Sequence, residues 1–252
     1  MIPVGFMSNP VRFWRLVLGL LAGFLIVFMI GVWQSPSLAL ISEATITEIV
    51  DGDEVFIEAV KAQVADVAVL QQEVRTEDSR VSLRFDNGAG GRLGKNSSVV
   101  VGQCVEVEQG LLLVSGPADG CLSGFSIGVQ GTIYVLGRDP RSREENGNIK
   151  VLEGKLFVKQ NPTDEPVEVE EGGQVSILPN NRLGEILDIS PEEFARILTG
   201  ELFSGFQIPM TPEGALRSVC LRLFGRAFDC TSSGVPTPRV PRPSVPGPRL
   251  PF

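Results

Sequence analysis

The chain has 252 residues, a net charge of −8 and no histidine. Without histidine it lacks the usual general base near neutral pH and the commonest transition-metal ligand, which argues against most hydrolases and metalloenzymes. Charge is also uneven: residues 1–39 and 235–252 carry arginine and no acid, so the body between them is strongly acidic and repels a nucleic-acid backbone.

Arg12 and Arg15 precede Leu16–Trp33, which is apolar apart from its glycines. Ser37-Leu38-Ala39 then offers small residues at the positions read by a signal peptidase cutting after Ala39. Residues 1–39 therefore read as an export segment, either a cleaved signal peptide or a retained inner-membrane anchor. The basic flank stays in the cytoplasm, and the rest of the chain is expected in the periplasm or cell envelope.

Residues 40–187 read as a β-rich body. Thr45–Ile57 holds two alternating runs around Asp51-Gly52, a hairpin signal. Val81-Ser82-Leu83-Arg84-Phe85 alternates strictly and ends at Asp86-Asn87-Gly88. Val99–Val101, Leu111–Val114, Phe125–Val129, Ile133–Val135, Ile149–Leu152, Leu156–Val158 and Val175–Leu178 continue the series. Roughly a dozen short strands without helical period between them favour a sandwich, barrel or solenoid. Gly137–Asn148 is charged and reads as an exposed loop.

Cys104, Cys121, Cys220 and Cys230 suit an oxidising compartment and allow three disulfide connectivities. The local scheme, 104–121 and 220–230, is the most economical, because neighbouring strands of one sheet would bring the first couple together. The spacings contain no C-x-x-C and no histidine partner, so no metal site is expected.

Residues 188–230 change period. Ser190-Pro191-Glu192-Glu193 is a helix start, with Ser190 as N-cap and Glu193 reaching back to it. Phe194, Ile197 and Leu198 form one apolar face, and Gly200 stops the helix. A second start at Thr211-Pro212-Glu213 leads into Leu216, Val219, Cys220 and Leu223 on one face. Helices this short should pack on the β body. Residues 231–252 read as a basic tail in which proline forbids regular helix or sheet, leaving polyproline II or disorder.

Several motifs invite chemistry and fail on context. Gly124-Phe125-Ser126-Ile127-Gly128 matches a nucleophile elbow, but that motif needs a helix after the serine and a histidine base. Gly88–Gly94 is glycine-rich but lacks the lysine ending of a phosphate loop. Asp51-Gly52-Asp53-Glu54 lacks calcium-loop spacing. No catalytic residue, metal or cofactor is expected.

Five landmarks in order resemble the FecR domain of bacterial envelope proteins. They are Val74-Arg75-Thr76 with Ser79-Arg80-Val81, then Leu83–Gly88, then Arg92-Leu93-Gly94-Lys95-Asn96-Ser97, then Gly128-Val129-Gln130-Gly131-Thr132, then Val151–Gly154 with Leu156-Phe157-Val158. The resemblance spans roughly residues 60–160, and the motif residues it singles out are Arg92, Gly94, Asn96, Gly128, Gly131, Thr132 and Gly154. It implies an envelope domain with a twisted β-solenoid-like fold, acting by protein contact and not by catalysis; with the residue pattern, the expected fold is an all-β solenoid or sandwich-like domain with a short C-terminal helical appendage. Signalling members of the family relay a receptor's state to a cytoplasmic sigma factor. Here about fifteen residues precede the apolar segment, too few for a folded cytoplasmic domain, and no second receptor-docking subdomain is evident after residue 160. Two functional expectations stand: a non-catalytic sensor or binding module contacting an envelope protein, or a structural protein whose tail touches peptidoglycan or another cell-wall glycan. Gly131 is expected to sit where a side chain is excluded.

Overall fold

The computed structural model describes residues 41–210 and 215–225. The expected export segment, Cys230, the helix start at Thr211 and the proline-rich tail lie outside the described residues. The described part falls within one compact unit.

The described residues form seventeen strands, more than the dozen expected. The first eight are β1 (Glu43–Val50), β2 (Val55–Ile57), β3 (Val60–Lys61), β4 (Val67–Val69), β5 (Glu73–Thr76), β6 (Arg80–Phe85), β7 (Gly90–Leu93) and β8 (Ser98–Val100). The long β9 (Val105–Gly116) follows. Then come β10 (Gly120–Leu122), β11 (Phe125–Val129), β12 (Thr132–Arg138), β13 (Gly147–Glu153), β14 (Lys155–Lys159), β15 (Val167–Glu170), β16 (Gly173–Ile177) and β17 (Leu187–Asp188). The helices are α1 (Pro191–Thr199) and α2 (Ala215–Phe224).

The strands form two ladders. Sheet A runs β4-β1-β6-β7-β9-β12-β13-β16-β17. Sheet B runs β3-β2-β5-β8-β9-β10-β11-β14-β15. Every pairing is antiparallel except β9 with β10. The chain crosses repeatedly from one sheet to the other, so successive strands stack as arches. This is the all-β, solenoid-like architecture that the strand pattern and the resemblance imply.

β9 belongs to both sheets. Gln109 still pairs with Ser98 in sheet B, while Gly110 pairs with Arg138 in sheet A. Gly110 has φ +81°, and a Cβ there would lie 2.6 Å from Ser97 Cα. Only glycine makes this step without strain and collision.

Alternation explains the layers. Leu112, Val114, Tyr134 and Leu136 point between the sheets and join the main core with Ile46, Val74, Leu83, Phe85, Leu122 and Ile127. Leu113, Ile133, Val135 and Leu152 point the other way, into a second core with Phe194, Leu198, Leu216 and Val219 of the helices. β12 is buried at six consecutive positions because sheet B covers one face and α1–α2 the other. The helical appendage is thus a third layer on sheet A.

Four local expectations are corrected. Asp51-Gly52 does not close a hairpin: β1 lies in sheet A and β2 in sheet B, so the turn carries the chain between layers. The turn is tied down by Ser79, whose Oγ accepts from Glu54 N at 2.9 Å. The exposed loop is shorter than Gly137–Asn148, because those two residues pair directly at the end of the β12–β13 hairpin. In α1, Ser190 Oγ does accept from Glu193 N at 3.2 Å. The Glu193 carboxylate, however, meets Lys150 Nζ at 3.1 Å and Gln174 Nε2 at 3.2 Å, pinning the helix to sheet A instead of closing a capping box. Finally, Leu223 is partly exposed at the margin of α2, lying over Gly172 and not in the helix-facing core.

Candidate interaction surfaces

The motif residues gather where the chain crosses between sheets. Arg92 lies in β7, Gly94 follows its end, and Asn96 turns the chain toward β8 with φ +50°. Gly128 lies in β11, Gly131 and Thr132 carry the chain from β11 to β12, and Gly154 carries it from β13 to β14. Gly131 has φ +64° but nothing within 4 Å of a Cβ built on it, so the expected steric exclusion is absent and the constraint is backbone conformation alone. Each pair of stacked arches is joined by a buried threonine. Thr76 Oγ1 donates to Gly94 O at 2.7 Å, and Thr132 Oγ1 donates to Lys155 O at 2.6 Å. Gly131, Thr132 and Gly154 therefore serve the crossings between sheets, while Arg92 faces the segment that follows α1.

The cysteines Cys104 and Cys121 are disulfide-bonded, with Cα atoms 5.5 Å apart. The bridge joins the starts of the parallel pair β9–β10, where Cys121 sits opposite Glu106. Cys220 is also disulfide-bonded. Beside the first bridge lies an open polar cleft of about 450 Å³ lined by Glu106, Glu108, Ser123, Arg138, Asp139 and Asn181, among others. Arg138 Nη1 is already engaged by Val107 O at 3.2 Å and Glu108 at 3.3 Å. Ser126 of the elbow-like motif sits within β11, its Oγ turned toward Lys159 O at 3.4 Å, so no strand-to-helix elbow exists.

No family profile matches the chain, and no curated protein matches it. One solved structure that resembles it is a protein of Parabacteroides distasonis ATCC 8503, provisionally described as an anti-sigma factor. That match has a TM-score of 0.43 and 12% identity, and covers 60% of this chain and 74% of the other.

Two surfaces escaped sequence reasoning. The first lies at the N-terminal end of the stack, where β3 and β4 are the outermost strands. Val60, Val64, Val67, Val69 and Leu70 are all exposed there, Val60 by 71%. The strand edge beside them is blunted: Gln72 Oε1 accepts from Val69 N at 2.9 Å, and Val69 O accepts from Gln72 N at 2.9 Å.

The second lies on the outer face of sheet A. Glu48, Ser82 and Arg92 are direct cross-strand neighbours on β1, β6 and β7, with Arg80 on the same face. The segment Glu201–Met210, which follows α1, lies over them. Arg92 donates to Leu202 O at 3.1 Å and Ile208 O at 2.7 Å. Arg80 donates to the carbonyls of Glu201 and Ser204, the latter at 2.7 Å, and to Asp51 Oδ2 at 2.6 Å. The Phe206 ring stacks against both guanidiniums, 4.3 Å from Arg92 and 5.2 Å from Arg80. The Glu48 carboxylate accepts from Gln207 N at 2.7 Å and Ile208 N at 3.0 Å. At the other end, Glu201 Oε2 accepts from Lys95 N at 2.9 Å. Gly94 makes that approach possible, since a Cβ there would lie 2.7 Å from Glu201 Oε1. Both arginines are only 5% exposed. Burial lowers the pKa of Arg92, the Glu48 charge opposes that, and Arg80 adds to it. A charged residue at an alternating strand position, as in Ser79-Arg80-Val81 and Gly91-Arg92-Leu93, was the available signal.

Proposed function

We propose that this chain is an envelope-exposed, non-catalytic contact module of FecR type that binds a protein partner. The observation that carries the reading is the cluster of five exposed aliphatic side chains at Val60–Leu70. Exposed aliphatics gathered in one short stretch are unfavourable in water and typical of contact surfaces. Gln72 already occupies the edge backbone at Val69, which disfavours strand addition there, so a partner would engage side chains. The export segment read from the sequence supports an envelope location, and the five ordered landmarks support the family reading.

A photo-crosslinking residue at Val64 tests this in cells, with Ile186 at the far end of the stack as control and with residues 235–252 present or deleted. One discrete envelope protein captured from position 64 in both forms supports the reading. No adduct from position 64, or tail-dependent sedimentation with cell wall, overturns it in favour of a wall-associated role.

A further inference from the structure

The surface under Glu201–Met210 has the features of a peptide-binding site that holds part of its own chain. Most of its polar contacts address the segment's backbone: four carbonyls go to the two arginines and two N–H groups to Glu48. Such contacts are largely indifferent to sequence, as in other modes of peptide capture. Leu202 is buried and Phe203 and Met210 pack against the helix core, anchoring the segment at both ends, but between them Ser204, Gly205, Gln207, Ile208 and Pro209 are exposed and bury little apolar surface. Segments of that kind open at lower cost than the sheets beneath them.

The fit is also incomplete. Arg92 receives only neutral carbonyl oxygens, and its Nε is buried without a partner. A guanidinium binds a carboxylate best through two parallel N–H donors, a geometry that one carbonyl does not fill. We propose that Arg80, Arg92 and Glu48 form a peptide-binding site, and that a partner segment displaces Ser204–Pro209 from it. That partner segment carries an aromatic side chain and a carboxylate at the spacing of Phe206 and Ile208. The aromatic ring takes the place of Phe206 between the guanidiniums, the carboxylate takes the Nε edge of Arg92, and backbone N–H groups satisfy Glu48. This goes beyond the contact surface at Val60–Leu70 and stands or falls separately, because its test needs only the purified chain.

Hydrogen exchange of the full chain at the Gln207 and Ile208 amides provides that test. The probe is a synthetic peptide of the Gly200–Met210 sequence with Ile208→Asp. Without peptide, the two amides should exchange at least ~100-fold faster than those of β9 and β12. Excess probe should accelerate them about tenfold more by trapping the open form. The same peptide with Phe206→Ala added should have no effect. In the chain, Arg92→Lys keeps the charge but loses the fork, and should abolish the advantage of the Ile208→Asp peptide over the native sequence. If that variant does not fold, Glu48→Gln should itself speed the two amides about tenfold. Exchange at the rate of β9 and β12 overturns the proposal, as does indifference to the probe or to the substitution.

Discussion

Thr132 opens β12 in sheet A and Lys155 opens β14 in sheet B, yet the threonine hydroxyl donates to the lysine carbonyl at 2.6 Å. One side chain thereby joins two consecutive layer crossings. Thr76 does the same nearer the N-terminus, donating to Gly94 O and accepting from Ser97 N at 3.0 Å. Replacing each by valine keeps the shape and removes the hydroxyl. Thr132→Val should cost about 1–2 kcal/mol and Thr76→Val about 2–3 kcal/mol, because the latter leaves both a donor and an acceptor unmet. Urea midpoints at unchanged slope would measure this, and equal costs for the two would contradict it.

Glycine does different work at two positions. Gly131→Ala meets open space and should cost about 1 kcal/mol for its positive φ alone. Gly110→Ala adds a collision with the Ser97 backbone at the point where β9 changes sheets, and should cost at least twice that. Thermal melts of the two variants should rank in that order.

Asp119 gives a pH dependence of defined sign. Burial raises its pKa above 3.8, opposed by the hydrogen bond from Val129 N at 3.0 Å. A raised folded pKa means that its contribution is fully present below pH 3.8 and is lost as pH rises through the folded value. Asp119→Asn keeps an oxygen for Val129 and removes the charge. The variant should melt higher than the parent near pH 7 and show no gain near pH 3. An unchanged or lower melting temperature near neutrality would show that the charge is stabilising.

The bridge between Cys104 and Cys121 closes a loop with a sequence separation of 17 residues. A loop of that size predicts about 3 kcal/mol from restriction of the unfolded chain. Replacing both cysteines by serine should lower stability by about that much and loosen the short β10 first, visible as faster exchange at Gly120–Leu122.

Strand identity was legible because apolar and polar residues alternate plainly, as in Val81–Phe85, and so was the first turn of α1 from Ser190-Pro191. The partner of each strand was not. Asp51-Gly52 signals a change of direction, but the same dipeptide serves a hairpin within one sheet or an arch between two, and only long-range pairing decides. Gly131 was expected to be crowded and is instead constrained by its backbone alone, since crowding depends on residues far away in the chain. The arginine face was missed for a related reason. Arg80 and Arg92 look solvent-facing until a segment more than a hundred residues later folds over them. The exposure of Val60–Leu70 follows from lying at the end of the stack, which depends on the pairing of the whole fold.

The dual membership of β9 has a mechanical consequence. Among the described residues, every ladder between the strands before β9 and those after it runs through β9 itself. Backbone pairing between the chain's beginning and its end is therefore carried by this one strand, with the contacts of Glu201–Met210 to Arg80, Arg92 and Glu48 as a separate tie. Its seven-residue register with β12 lies in one sheet and its shorter pairing with β8 in the other. The ladders to β7 and β8 on one side and to β10 and β12 on the other stand in series through β9, so disrupting β9 would leave two paired halves joined through that tie.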